Sequence, residues 1–203
     1  MAKDSSKVEA FAALVHDAST CTRCPAMCGR QAVLSNLNGS IDAHIMFVGE
    51  APGRKGADRT RVPFSGDQSG ANLDRFMQSI HLPREQVFIT SAALCNPRTD
   101  SGANRKPTQK ELSNCSDFLR RTIDLVNPRI VVTLGSVALE ALKRLHAHQL
   151  NLKAHAAHIH RWDGRLLVPI YHPSPQVLAS HRREQQQLSD YQVVAEALIS
   201  DKL

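Results

Sequence analysis

Four short apolar runs dominate this chain, and none of them alternates: His44-Ile45-Met46-Phe47-Val48, Gln86-Val87-Phe88-Ile89-Thr90, Arg129 to Leu134, and Leu166 to Tyr171. A strand with one face in water alternates apolar and polar residues, so continuous runs indicate strands covered on both faces. Helical periodicity separates them. Residues 5 to 18 place Val8, Phe11, Leu14 and Val15 on one face, and a helix after Ser69 carries Leu73, Phe76, Met77 and Ile80. Thr108 with Glu111 forms a capping box for a helix through Leu125, and further helices run from Val137 to Leu145 and from Glu184 to Ile199. The expected fold is α/β: three α/β/α layers around a central, mainly parallel four-stranded sheet, in one domain over residues 1–203. Ligands of open parallel sheets sit beyond the carboxyl ends of the strands. That directs attention to residues 49–70, 91–107, 135 and 172–183.

A chain of 203 residues buries about 70% of its unfolded surface, enough for a core without disulfides. Its longest apolar runs are about half a dozen residues, too short to span a membrane. The start, MAKDSSKVEAF, carries charge but no apolar stretch of a secretory signal, so a cytoplasmic protein is expected. Lys and Arg number 25 against 19 acids, a net charge of +6 that suits a polyanionic partner without requiring one.

Cysteines stand at 21, 24, 28, 95 and 115. Cys21 and Cys24 form a C-x2-C in an irregular segment, Cys95 follows the second strand, and Cys115 lies on the next helix. These four could close a four-sulfur site holding zinc or an iron-sulfur cluster, and spacing alone does not separate the two. The plainer reading is a set of unligated thiols, with Cys95 a small core hydrophobe. Cys28 is the surplus, a free thiol or a replacement for one of the four.

After the first strand, Gly49-Glu50-Ala51-Pro52-Gly53 makes a turn whose amides can face a ligand. Phe64 offers a flat ring, and Asp67, near a helix start, an acid, base or electrostatic stabiliser. The ordinary alternatives are a core phenylalanine and a helix-capping aspartate. After the fourth strand, His172 in Tyr171-His172-Pro173-Ser174-Pro175 can donate to a developing anion. His146, His148, His155, His158, His160 and His181 read as polar, partly exposed surface, and those from 155 to 160 can mimic a metal site.

Read in order, C-x2-C, GEAPG, PFSGD-x-SG, a cysteine after a strand, NRKPT, another cysteine, TLGSVALEAL and YHPS resemble the iron-sulfur uracil-DNA glycosylases of families 4 and 5, over roughly residues 18–180. The resemblance implies a monofunctional enzyme of base-excision repair, a monomer acting on DNA with uracil or another deaminated or etheno base and needing no membrane. It implies a structural 4Fe-4S cluster on Cys21, Cys24, Cys95 and Cys115, with zinc as the other occupant. Phe64 would stack on the flipped base, and Gly49, Ala51, Pro52, Gly53 and Ser91 would line its pocket. Asp67 would stabilise the sugar cation and orient water, with Glu50 competing for the role; His172 and Asn104 complete the catalytic set. Arg54, Lys55, Arg59, Arg61, Arg182 and Arg183 would contact DNA.

Glu50 is similar to family 4, whereas G-x-x-G-A-x-R-T from Gly53 to Thr60, followed by PFSGD, is similar to family 5. Ser91 stands where family 4 usually has an asparagine reading the uracil edge, and serine cannot make that bidentate contact. The chain thus resembles family 5 with a family 4 acid at position 50. Two departures stand out. The link from residue 96 to 103 is longer than the compact family link, which leaves the place of Asn104 open, and the histidine motif is HPS instead of HVS. The rival expectations are an inactive DNA-binding member of the same fold and a small-molecule α/β enzyme with a zinc ribbon. Covalent trapping of the abasic product is not expected, because no histidine lies between Gly49 and Ser79.

Overall fold

The structure, a computed structural model, describes residues 2–27 and 29–200. Cys28 lies outside the described residues. Strands β1 (Ile45–Gly49), β2 (Val87–Ser91), β3 (Ile130–Leu134), β4 (His160–Trp162) and β5 (Arg165–Ile170) form one sheet in the order β2-β1-β3-β5-β4. All neighbours are parallel except β4, which pairs antiparallel with β5. The four expected strands are β1, β2, β3 and β5; the expected count of four is corrected to five by the edge strand β4. Its sequence, His160-Arg161-Trp162, buries only Trp162, so it carries no apolar run. The missed signal is Asp163-Gly164, whose φ values of 50° and 73° both lie in the left-handed region that a two-residue hairpin turn requires.

Alternate residues of the central strands enter two separate cores, as a doubly covered sheet demands. Met46 and Val48 of β1 pack in the core that receives helices α1 (Ala2–Ser19), α4 (Gln109–Val126) and α5 (Ser136–Leu145). Ile45 and Phe47 pack on the other side with helices α3 (Gln68–Ser79) and α8 (Glu184–Ser200), where Tyr191 is fully buried. Short helices α2 (Ala57–Thr60), α6 (Leu152–His155) and α7 (Pro175–Ser180) occupy the connections. The capping box at Thr108 is present: Thr108 Oγ1 accepts from Glu111 N, and the Glu111 carboxylate from Thr108 N. The chain leaves β1 to pair with β2 on one side and returns to β3 on the other, which opens a crevice at the carboxyl ends.

The cysteine segment is tied to that same end of the sheet. Val33 N donates to Leu94 O at 2.7 Å, Asn38 Nδ2 to Ile89 O at 2.8 Å, and Asn114 Nδ2 to Arg23 O at 2.7 Å. Arg23, Val33 and Asn38 thereby tie this segment to the end of β2 and to α4. Among the described residues no helix is long and apolar enough to cross a membrane.

Candidate active site

A cavity of about 580 Å³ opens at the carboxyl ends of the parallel strands. Glu50, Ala51, Pro52 and Gly53 line it after β1, Ser91 at the end of β2, and His172 after β5. Phe64, Asp67 and Asn104 close it from the loops. Sequence positions as far apart as 50 and 172 thus meet in one space. Gly49 lies beneath Phe64: a Cβ there would sit 2.6 Å from the ring and 3.4 Å from Ser91 Oγ. The close approach of the ring to the strand end therefore requires glycine. Phe64 itself has φ 49°, a left-handed conformation rare for a bulky residue. Its loop is fixed by Arg84, whose guanidinium donates to the carbonyls of Pro63 and Phe64 and pairs with Asp74. Backbone strain of this kind persists only where surroundings enforce it.

Asp67 is the N-cap of α3, with Oδ1 accepting from Gly70 N at 3.0 Å. The capping expectation and the functional one are compatible, because the second oxygen is left over. A Cβ at Gly56 would meet Asp67 Oδ2 at 2.2 Å, so this glycine makes room for the carboxylate. Glu50 shares the cavity, where burial raises its carboxyl pKa against the lowering influence of Lys106. Two acids in one cavity thus have different surroundings, one at a helix N-terminus and one desolvated.

His172 faces Phe64, with ring centroids 5.6 Å apart. Burial pushes its imidazole down to about 4, against the opposing pull of Asp67. The ring is therefore neutral across the neutral range and can offer one N–H. Its turn is held by two buried amides that sequence reading missed: Asn72 Nδ2 donates to Pro173 O at 2.7 Å, and Gln187 Nε2 to His172 O at 3.1 Å. A stability consequence follows from the sign of the shift. The unfolded chain takes up a proton near pH 6.5, the folded one near 4, so this contribution is complete above pH 6.5 and lost as pH falls towards 4. Thermal unfolding from pH 7 to 4 is expected to show His172→Gln losing less stability than wild type, by about 2–3 kcal/mol at most. Parallel curves for the two proteins would contradict it.

The candidate DNA-contacting residues divide. Arg54 and Lys55 are exposed and line an adjoining depression of about 290 Å³ that also touches Asp67 and Asn104. Arg183 is exposed, as is Arg59, whose Nε donates to Lys55 O. Arg61 instead ties the cysteine segment, donating to Ala32 O at 2.7 Å and to Asp58 O at 3.0 Å. Arg182 is paired with buried Asp190 and packs over Tyr171. Lys106, which also lines the cavity, was not singled out, although it stands in NRKPT.

Cys21, Cys24, Cys95 and Cys115 are unpaired and half-buried. Burial pushes Cys95 up to about 11 and Cys115 up to about 12, and the neighbouring thiols add to both rises. Four sulfurs from three chain segments therefore sense one another. Leu94 N donates to Cys115 Sγ at 3.3 Å and Asn114 Nδ2 to Cys24 Sγ at 3.4 Å. Among the described residues no group of three or more His, Cys, Asp or Glu is arranged to hold a single metal ion, the histidines at 155, 158 and 160 included.

Fold and site together describe a doubly covered, mainly parallel sheet with an acid-, histidine- and phenylalanine-lined cleft at its strand ends. The uracil DNA glycosylase superfamily model matches residues 38–194, and the chain belongs to that superfamily. It is 33% identical over 163 residues to the type-4 uracil-DNA glycosylase of Archaeoglobus fulgidus, covering 78% of each chain. It is similar as well to type-5 uracil-DNA glycosylases: 34% over 156 residues for Thermus thermophilus, covering 68% of each, and 29% over 183 for Pyrobaculum aerophilum, covering 76% of this chain and 78% of the relative. Relatives of both types match at comparable identity.

Proposed function

We propose that the protein is a monofunctional uracil-DNA glycosylase, acting as a monomeric single domain over residues 1–203 in cytoplasmic base-excision repair. The observation that carries this reading is the convergence of Phe64, Asp67 and His172 on one cavity at the strand ends. A base rotated out of the duplex, at a cost of roughly a few kcal/mol, stacks on Phe64 between the turn 49–53 and His172. Water adds its oxygen to the sugar C1′ as the C1′–N bond breaks, and the bonding electron pair leaves with the base. Asp67 Oδ2 orients that water, stabilises the positive charge growing on the sugar, and accepts the proton released. The neutral His172 and the amides of the turn stabilise the departing anion through its carbonyl oxygens. Electrostatic placement supplies the rate, with no covalent enzyme intermediate. Arg54 and Lys55 beside the cleft suit DNA phosphates, so binding weakens with salt.

The four cysteines fit an iron-sulfur cluster. They are thiol donors alone, from three segments, and Cys95 and Cys115 each feel the charge of the other thiols. When bound, the cluster supplies a structural crosslink between the N-terminal segment, β2 and α4. The test is excision from labelled single- and double-stranded oligonucleotides containing one uracil, hypoxanthine or ethenocytosine, with alkali to reveal abasic sites. Alkali-labile scission at uracil is expected. Iron-replete protein that binds the oligonucleotide but releases no base would replace this reading with that of a DNA-binding member of the fold.

A further inference from the structure

The longer link between Cys95 and Asn104 folds back on itself, with an isolated antiparallel bridge from Arg98 to Asn104. At its start stands Asn96, 1% exposed. A buried amide beside the cleft needs partners on both ends. Arg98 Nε donates to Asn96 Oδ1 at 2.5 Å, and Arg98 is itself held by an ion pair with Asp58. Asn96 Nδ2 donates to Pro52 O at 2.5 Å and to Asn104 Oδ1 at 3.0 Å. Arg54 N donates to the same Asn104 oxygen at 3.0 Å.

Three of these partners have no choice of role, and they fix the orientation of both amides. A guanidinium N–H only donates, so the oxygen of Asn96 must face Arg98. Its nitrogen then faces Pro52 O, which only accepts. A backbone N–H only donates, so the oxygen of Asn104 must face Arg54. Both acceptor directions of that oxygen are used, and Asn104 has only its Nδ2 to offer the cavity, where it lies 3.8 Å from the position of a Cβ on Gly53.

We infer that Asn96 is a positioning residue that locks Asn104 as a donor-only group facing the substrate. Asn104 then contacts an acceptor, such as a carbonyl oxygen of the base, and cannot accept from a ring N–H. This rests on the proposed glycosylase reading for its catalytic consequence, but not for its geometry.

The test is a double-mutant cycle of Asn96→Asp with Asn104→Ala, read as single-turnover excision of uracil, together with hydrogen exchange of the Arg54 amide. Asn96→Asp keeps an acceptor for Arg98 but loses the donor to Asn104 and to Pro52 O. Visible absorbance checks that the neighbouring cysteine site is retained. Each single variant is expected to lose about tenfold, as for one donor to a neutral acceptor, and the double variant no more than either alone. The Arg54 amide is expected to be protected in wild type and to exchange faster in both variants. Additive losses, or full activity in Asn96→Asp, would overturn the lock. If wild type excises nothing, the exchange measurement still decides: an Arg54 amide unprotected in wild type, or unchanged by Asn96→Asp, rejects the inference, whereas the expected pattern upholds the lock while the glycosylase reading fails.

Discussion

Asp67→Asn is expected to slow base excision by about 10²- to 10⁴-fold while leaving the fold and DNA binding in place. The substitution is selective because the two carboxylate oxygens do different work. Oδ1 caps α3 through Gly70 N, and an asparagine oxygen makes the same bond. Oδ2 lies over Gly56 and Gly53, in the space those glycines leave open, and is the atom that loses its charge. An amide there cannot accept the proton of the attacking water or stabilise a sugar cation. Glu50→Gln is expected to cost less, because burial disfavours charge on Glu50 whereas Asp67 sits at a helix N-terminus that favours it. Single-turnover rates on a uracil duplex, compared with thermal midpoints of the same proteins, check both statements. A larger loss in Glu50→Gln would exchange the two roles; an unimpaired Asp67→Asn would remove Asp67 from the chemistry and reduce it to a helix cap.

The parts of this site legible in the sequence are those carried by short contiguous motifs at strand ends. GEAPG, PFSGD and YHPS each place their key residue within a few positions of a strand or helix boundary, and boundaries of doubly buried strands are marked by the end of an apolar run. What escaped is carried by contacts between distant segments. Asn72 and Gln187 are unremarkable polar residues on helices α3 and α8 until the turn at 172–173 is seen between them. Asn96 and Asn104 are eight residues apart, and only the folded link makes them a pair. Charge was a poor guide for the same reason. Arg61 and Arg182 lie near the cleft in sequence, yet their guanidiniums are committed to Ala32 and Asp190 inside the protein. The edge strand β4 was missed although its hairpin turn, Asp163-Gly164, is a strong local signal.

Cys115→Ala is expected to abolish the brown colour and broad visible-ultraviolet absorption of anaerobically purified protein, and Cys21→Ala to do the same. The effect on stability is on the order of several kcal/mol, since a metal centre that forms only in the folded state contributes its binding free energy to folding. The loss is not evenly spread. Among the described residues from 21 to 34 there is no helix or strand beyond the single turn Pro25–Met27, and Val33 N to Leu94 O and Arg61 to Ala32 O are among the bonds that anchor them. Without the crosslink this segment should show faster hydrogen exchange, while β1 and β3, fully buried at the centre of the sheet, keep their protection. Because Cys95 precedes Asn96 directly, and Asn96 donates to Asn104, losing a cluster held there is expected to loosen that pair, so excision should fall without any iron taking part in the reaction. Iron and inorganic sulfide in the wild type, both lost in the variants, is the expected analysis. Zinc without iron would leave the crosslink argument standing and change its chemistry, whereas wild type with neither metal and unchanged exchange in Cys115→Ala would reduce the four cysteines to buried thiols.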